Sequence, residues 1–265
     1  MLLANDGIFP VTKDKNGHPI PSAPASGFDI PGTIQGEGKL SGVPSLFVRL
    51  AGCNLHCCWQ AANGKPSPCD TTYAAYKLQG AHSMTIEDIY QTLLHNTPPI
   101  RHIVITGGEP LLQAAELSIL CYKLKDAGFH LTLETNATLY DKEVAQYIDL
   151  FSLSPKLVSS HFKASSAVQR LCPEKIQAFI DDTQETEKDF QLKFVYSCEN
   201  DITEIRELLR QLHGWKSEDI LLMPLGGNPE ILRINIQKTL EQCLRNGWRY
   251  CDRLHISLFG DKAGV

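Results

Sequence analysis

The sequence has no run of about 18 or more apolar residues and no excess of positive charge. A membrane-spanning helix needs about 20 consecutive apolar residues, so we predict no transmembrane helix and no membrane partner. The formal net charge is −5, so bulk electrostatics gives no support to a nucleic-acid partner. Residues 1–20 lack a basic stretch followed by an apolar one, so we expect no secretory signal and a cytoplasmic location.

Cysteine, by contrast, is abundant and unevenly placed. The chain has 9 cysteines, and an odd number cannot pair completely in disulfides within one chain. Clustered cysteines in a cytosolic protein more often bind metal, and residues 53–69 contain a cluster of this kind. We expect the scattered cysteines to be buried small side chains without function: Cys121, Cys172, Cys198, Cys243 and Cys251.

Short apolar segments alternate with segments of helical periodicity along most of the chain. The predicted strands are 45–52, 102–110, 130–136, 149–156, 192–197, 219–227 and 253–260. The predicted helices are 85–96, which starts at the N-cap Thr85, and 114–128, 141–148, 173–187, 202–214 and 229–247. This alternation is typical of parallel strands joined by crossover helices. The sequence therefore predicts an α/β fold, a partial (βα) barrel of about six or seven strands.

The chain divides into a short arm and one large domain. Residues 1–27 are rich in Pro, Gly, Lys and Asn, so we predict an irregular N-terminal arm. Residues 28–265 form the predicted domain, with the cysteine loop at 53–72. The stretch 157–172 is predicted to be an insertion or a mobile connection.

The cysteine loop follows a predicted strand and contains Cys53, Cys57, Cys58 and Cys69. Thiolates suit both iron–sulfur clusters and zinc. Three cysteines would leave one cluster iron without a protein ligand, so a small molecule could bind there and receive an electron. A four-cysteine zinc site is the alternative, but adjacent side chains such as Cys57 and Cys58 diverge and chelate one ion with difficulty. A loop without metal also stays open.

The sequence around this loop resembles the radical S-adenosylmethionine (SAM) superfamily and, within it, the 7-carboxy-7-deazaguanine synthase family. The matching segments are QGEG at 35–38, GVP at 42–44, FVRL at 47–50, GCNLHC at 52–57, CDT at 69–71, GGEP at 107–110, SPK at 154–156 and the C-terminal segment from 253. The superfamily's usual spacing is C-x3-C-x2-C, whereas nine extra residues, 60–68, give C-x3-C-x11-C here. The resemblance implies Cys53, Cys57 and Cys69 as ligands of a 4Fe–4S cluster, with Cys58 spare or a substitute ligand.

The resemblance also implies the remaining site residues. Thr71 would bind Mg2+, which prefers hard oxygen ligands. The residues implied in binding SAM are Pro68, Cys69, Asp70, Gly108, Glu109, Ser154, Pro155, Lys156, Met223, Pro224, Leu225 and Gly226. Those implied in binding substrate are Ile34, Gln35, Gly36, Glu37, Arg49, Thr106 and Val265. Among these, Gln35 and Glu37 can pair with ring N–H groups, and Arg49 can take a carboxylate as a bidentate pair.

The resemblance implies a modified partial barrel of the radical SAM type with its site at the carboxyl ends of the strands. It implies conversion of 6-carboxy-5,6,7,8-tetrahydropterin to 7-carboxy-7-deazaguanine with loss of ammonia, in the pathway to queuosine and other 7-deazapurines. An electron donor such as flavodoxin or ferredoxin would reduce the cluster, and the protein would be a homodimer. The alternatives are a radical-activating enzyme that acts on a glycyl-radical partner protein and a zinc-stabilised binding module.

Overall fold

Seven neighbouring parallel strands form most of the main sheet in the described part of the chain. A computed structural model describes residues 1–61, 64–162, 169–184, 186–260 and 262–265. The strands in these ranges are β1 (Leu2–Phe9), β2 (Thr33–Ile34), β3 (Pro44–Leu50), β4 (Cys58–Gln60), β5 (Pro66–Pro68), β6 (His82–Ser83), β7 (His102–Gly107), β8 (His130–Thr135), β9 (Leu150–Leu153), β10 (Asp189–Tyr196), β11 (Ile220–Pro224) and β12 (Arg249–Tyr250).

Helices occupy most of the connections between successive parallel strands. They are α1 (Thr72–Ala75), α2 (Ile86–Asn96), α3 (Ala114–Asp126), α4 (Lys142–Ala145), α5 (Pro173–Gln184), α6 (Glu199–Leu209), α7 (Pro229–Asn246) and α8 (Leu254–Phe259). The hydroxyl of Thr85 accepts a hydrogen bond from the Asp88 N–H at 3.0 Å, which confirms the predicted N-cap of α2. No helix in the described ranges has the length and apolar character needed to span a bilayer.

The strand order across the main sheet is β12-β11-β10-β9-β8-β7-β3-β1-β6, with β2 paired to β3. Strands β1, β2 and β6 join antiparallel, whereas β3 and β7 to β12 are parallel. Among the described residues β12 and β6 each have one neighbour, so the sheet is open. The predicted α/β fold with a partial barrel is confirmed.

Side chains on the parallel strands alternate between an apolar face and a more polar one. Leu46 and Leu131 are completely buried in the apolar core. On the other face Ser45, His102 and Thr132 form a buried row, with Ser45 Oγ 2.7 Å from His102 Nδ1 and Thr132 Oγ1 2.8 Å from Nε2. Burial lowers the pKa of His102 to about 4, so the neutral ring can donate to one neighbour and accept from the other. Further along these strands, the same face carries the polar side chains of the site.

The prediction of an irregular arm at residues 1–27 was wrong for its first part, because Leu2–Phe9 forms strand β1 along β3. The sequence disguises this strand, since Asn5, Asp6 and Gly7 are typical turn residues. In the structure they lie where the pairing register shifts, and Gly7 has a φ of +52°. A bulge thus accommodates residues that would otherwise end the strand.

Two further predictions were wrong. Residues 253–260 were predicted to be a strand, but Leu254–Phe259 is helix α8. Their apolar positions alternate, yet Ile256 is buried whereas Leu258 is 57% exposed, so no strand face is formed. Cys198 is exposed, unlike the other scattered cysteines, which are buried as predicted.

The cysteine loop contains a short hairpin, in which β4 and β5 pair antiparallel with Trp59 opposite Ser67. The two ends of the nine-residue insertion, 60–68, therefore lie side by side. Residues 62–63 of this segment and residues 163–168 of the connection 157–172 lie outside the described ranges.

Replacing Leu3 with Ala tests the role of β1 in the core. Leu3 is completely buried, whereas its neighbour Leu2 is 36% exposed. We expect Leu3→Ala to lower the free energy of unfolding by about 2–5 kcal/mol, because it leaves a cavity in the core. Leu2→Ala is the control and should change it far less. Equal effects in urea denaturation would show that β1 does not contribute to the core in this way.

Candidate active site

One cavity of about 320 Å³ lies at the carboxyl ends of the parallel strands. It is lined by most of the residues that the sequence analysis selected. These are Ile34, Gln35, Gly36, Glu37, Arg49, Cys53, Cys57, Pro68, Cys69, Asp70, Thr71, Thr106, Gly108, Ser154, Lys156, Met223, Pro224, Leu225, Gly226 and Val265. Glu109 and Pro155 are the two selected residues that do not line it.

Three thiols reach this cavity from the loop that follows β3. The backbone N–H of Cys69 donates to the Cys57 carbonyl at 3.0 Å, so the hairpin returns the third cysteine to a place beside the second. Cys58 does not line the cavity. Its backbone pairs with Pro68 and its thiol donates to the Trp59 carbonyl at 3.6 Å. The structure thus separates Cys58 from the other three.

The chemistry of this donor set fits an iron–sulfur cluster better than one zinc ion. All nine cysteines are free. In the described ranges, no three or more His, Cys, Asp and Glu side chains are arranged so that they could hold one metal ion. A structural zinc ion needs its four ligands around a single point, whereas a cubane cluster offers a separate iron to each thiolate. Burial raises the pKa of Cys69 to about 12, so this thiol must lose its proton when metal binds.

The Gly107-Gly108 turn packs directly on the start of the cysteine loop. The Gly108 N–H donates to the Leu50 carbonyl at 3.1 Å, and the Glu109 N–H to the Gly52 carbonyl at 2.8 Å. A Cβ atom on Gly107 would collide with the Leu50 carbonyl, and one on Gly108 with that of Gly52. Glycine is required here because two backbones meet, and the contact leaves Gly108 facing the cavity.

Glu109 is completely buried behind this turn. Its carboxylate accepts hydrogen bonds from the Thr135 hydroxyl at 2.8 Å, the Asn136 N–H at 2.8 Å and the Leu111 N–H at 3.1 Å. Burial raises its pKa. The side chain therefore fixes the end of β8 and does not line the cavity, and its role in binding SAM stays a prediction.

Glu134, at the end of β8, joins two of the predicted substrate residues. Its carboxylate accepts hydrogen bonds from Gln35 Nε2 at 3.2 Å and from the Thr106 hydroxyl at 2.7 Å. Gln35 Oε1 in turn accepts from the Glu37 N–H at 3.1 Å. The QGEG turn, β7 and β8 thus share one hydrogen-bonded group on the cavity wall.

Glu37 lies between two cations that the sequence analysis did not select. Its carboxylate pairs with Lys193, on β10, and with Arg253 Nε at 3.0 Å. Arg253 also pairs with Asp70. Burial alone would raise the pKa of Glu37, but the charges of Lys193 and Arg253 outweigh it and hold the pKa well below its ordinary value.

Arg49 is held by its Nε atom alone. Asp6 Oδ2 accepts from Arg49 Nε at 2.8 Å and from the Tyr73 hydroxyl at 2.8 Å. The guanidinium carbon lies 4.9 Å from the centroid of the Phe9 ring. Neither terminal nitrogen of Arg49 has a hydrogen-bond partner among the residues that the structure describes. The planar end of the group is thus positioned and free to bind an anion.

Several lining residues were missed from the sequence: Tyr73, Glu134, Lys193, Arg253 and His255. One of them carries a detectable signal, because Lys193 interrupts an apolar strand and lysine is almost never buried without a partner. Asp6, which positions Arg49, lies in the misassigned N-terminal segment and carries no such signal.

Comparison with known proteins agrees with this geometry. Residues 48–177 match the Radical SAM superfamily. The 7-carboxy-7-deazaguanine synthase of Rhodopirellula baltica is 35% identical over 87% of this chain and 85% of its own. The synthase of Halobacterium salinarum is 33% identical over 86% and 88%. The chain belongs to the 7-carboxy-7-deazaguanine synthase family.

The sequence left open an iron–sulfur cluster, a zinc site and a loop without metal, and family membership decides for the iron–sulfur cluster. Members are radical SAM enzymes, whose cofactors are a 4Fe–4S cluster and SAM, and such enzymes need a reductant. The crystal structure of QueE from Escherichia coli superposes with a TM-score of 0.62 over 94% of this chain and 95% of that one. At 23% identity this likeness shows the fold.

The ion pairs of Glu37 with Lys193 and Arg253 make the stability of the folded protein depend on pH in a defined direction. Because the pKa of Glu37 is lowered in the folded state, its contribution is complete above the ordinary value of 4.5 and is lost as the pH falls below it. We expect the difference in unfolding free energy between the wild type and Glu37→Gln to shrink by about 2 kcal/mol from pH 7 to pH 3. Urea denaturation of the cluster-free protein measures it, and a difference that stays constant would contradict the prediction.

Proposed function

We propose that this enzyme converts 6-carboxy-5,6,7,8-tetrahydropterin to 7-carboxy-7-deazaguanine with loss of ammonia, for the synthesis of queuosine and related 7-deazapurines. The observation that carries the proposal is the shared cavity, which is lined both by three thiols and by Gln35, Glu37 and Arg49. A radical-activating enzyme would need the thiols but would not need the polar side chains of Gln35, Glu37 and Arg49. A zinc-stabilised module would need neither an open cavity nor Arg49.

Cys53, Cys57 and Cys69 would hold three irons of the 4Fe–4S cluster and leave the fourth for SAM. When both are bound, the cluster and SAM would supply radical chemistry at the pterin ring. The protein would position the cluster, SAM and substrate relative to one another and would shield the sulfur ligands from water. Cys57 is only 5% exposed, and Trp59 and Leu225 pack beside it.

Residues on several strand ends would hold SAM. The backbone of Gly108 faces the cavity beside Cys53, where it can bind the methionyl amino group. Lys156 donates to the Ser154 hydroxyl at 2.6 Å and lines the cavity, so it can balance the methionyl carboxylate. The adenosyl part would contact Pro68, Asp70 and the turn formed by Met223, Pro224, Leu225 and Gly226. Pro155 would act through the backbone that it shapes.

The polar group around Glu37 would hold the pterin. The amide of Gln35 and the carboxylate of Glu37 can pair with ring N–H groups. The free end of Arg49 is suited to the substrate carboxylate, because a guanidinium binds it in bidentate geometry. Thr106 and the backbones of Ile34, Gly36 and the terminal Val265 would complete the contacts, since all line the cavity.

Thr71 would bind Mg2+ next to the substrate. Its hydroxyl lies 3.4 Å from Cys69 Sγ, and a deprotonated Cys69 can only accept this hydrogen bond. The hydroxyl would then donate to sulfur and keep its lone pairs for the cation.

The partners follow from the same chemistry. The cluster takes one electron at a time, so flavodoxin or ferredoxin is the proposed donor, and the proposed setting is the cytoplasm. We also propose a homodimer. The apolar side chains of Leu240 and Leu244, 43% and 76% exposed one turn apart on α7, support a contact between protein surfaces.

Cysteine variants test the ligand assignment. We expect Cys53→Ala, Cys57→Ala and Cys69→Ala each to lose the cluster, because each removes a thiolate ligand. Cys58→Ala is the matched control and should keep full iron content, since Cys58 does not line the cavity. Iron and sulfide are measured after anaerobic reconstitution. Loss of iron from Cys58→Ala together with retention in Cys69→Ala would reverse the assignment.

An anaerobic assay tests the reaction itself. We expect the reconstituted enzyme, supplied with dithionite, SAM, Mg2+ and 6-carboxytetrahydropterin, to form 7-carboxy-7-deazaguanine, detected by mass. Omission of SAM should abolish the product. Cleavage of SAM without any deazaguanine would reject this substrate while leaving the cluster site intact.

A further inference from the structure

The connection between β9 and α5 packs against the cysteine loop. The Phe162 N–H donates to the Cys58 carbonyl at 2.9 Å, and His161 forms a parallel bridge with Cys58. This segment belongs to the stretch 157–172, which the sequence gives no functional motif. The described residues of this segment pack against one side of the β4–β5 hairpin that follows Cys57.

Arg170, at the end of this connection, reaches a proposed cluster ligand. Its Nη1 donates to Cys57 Sγ at 3.4 Å and to the Ser160 hydroxyl at 3.3 Å. Its Nε donates to His161 Nδ1 at 2.9 Å, which fixes the direction of the guanidinium. Its Nη2 is buried and has no hydrogen-bond partner among the described residues.

The charge of Arg170 has no carboxylate partner in the described part of the chain. A partly buried cation without a counter-ion is costly, and so is a buried N–H without an acceptor. An anionic sulfur centre at Cys57, where Arg170 Nη1 already donates, would supply the missing counter-ion. Arg170 does not line the cavity whereas Cys57 does, so the guanidinium contacts the sulfur without facing the space for SAM and substrate.

Among the described residues, no charged group donates a hydrogen bond to the other two thiols. Cys53 Sγ accepts from the Leu55 N–H at 3.4 Å, and Cys69 Sγ lies 3.4 Å from the Thr71 hydroxyl. Among the described residues, Arg170 is thus the one charged donor on the three thiols. Hydrogen bonds and net charge at the sulfur ligands set the reduction potential of a cluster.

We propose that Arg170 raises the reduction potential of the cluster by placing a positive charge and an N–H donor on the sulfur of Cys57. Reduction adds an electron, so a fixed cation beside a ligand stabilises the reduced form more than the oxidised form. The inference rests on the proposed cluster site. It makes Arg170 a residue that controls electron acceptance through Cys57 without touching SAM or pterin.

Redox titration of the reconstituted protein tests this role. We expect Arg170→Met to keep full iron content but to lower the equilibrium constant for cluster reduction about tenfold, a shift of about 59 mV to more negative potential for one electron. Arg170→Lys keeps the charge and should lie closer to the wild type. Arg210→Met, at an exposed arginine at the end of α6, is the matched control and should leave the potential unchanged.

Two results would overturn the proposal. One is a wild-type potential in Arg170→Met at full iron content. The other is failure of both Arg170 variants to assemble a cluster while they remain folded, since Arg170 would then serve assembly alone. A wild-type protein that binds no iron under the same conditions would reject the cluster site itself, which is a separate result.

Discussion

The contact between two backbone segments, the Gly107-Gly108 turn and the start of the cysteine loop, is the constraint on which the site depends. Neither glycine can carry a Cβ, because the carbonyls of Leu50 and Gly52 lie where it would be. The adjacent Glu109 then ties the turn to the Asn136 N–H at the end of β8. The ends of β3, β7 and β8 and the cysteine loop are thus fixed to one another by main-chain contacts and by the Glu109 carboxylate. A displacement of any one of these segments would move the thiols relative to Gln35, Glu37 and Arg49, the residues proposed to bind the pterin.

The pairing of charges around the cavity supports the positions proposed for its ligands. Glu37 and Asp70 are matched by Lys193 and Arg253, so this part of the wall is close to neutral. Other cations keep hydrogen-bonding capacity that the described residues do not use. They are the end of Arg49, the ammonium of Lys156 and Nη2 of Arg170. The three ligands proposed beside them, a carboxylated pterin, the SAM carboxylate and a thiolate-bound cluster, are all anionic there.

The sequence predicts this fold and site where the information is local. The alternation of apolar strands and helices predicts the parallel sheet, and short motifs predict most of the cavity lining. The features that the sequence does not predict depend on contacts between residues that are far apart along the chain. Asp6 and Glu134 become site residues only because β1 pairs with β3 and β8 lies beside β7. Likewise, α8 has an alternating apolar pattern, but its first N–H binds the distant Gly36 carbonyl at 2.9 Å.

The expanded cysteine loop shows why extra residues between two ligands need not move either of them. An antiparallel hairpin begins and ends at the same place, so Cys69 stays hydrogen-bonded to Cys57 however far the turn extends. Lengthening such a loop adds little entropy cost, since the cost grows only with the logarithm of its length. The hairpin also creates a new surface beside Cys57, and the β9–α5 connection packs on that surface. The expansion and the placement of Arg170 on the cluster ligand are therefore parts of one arrangement.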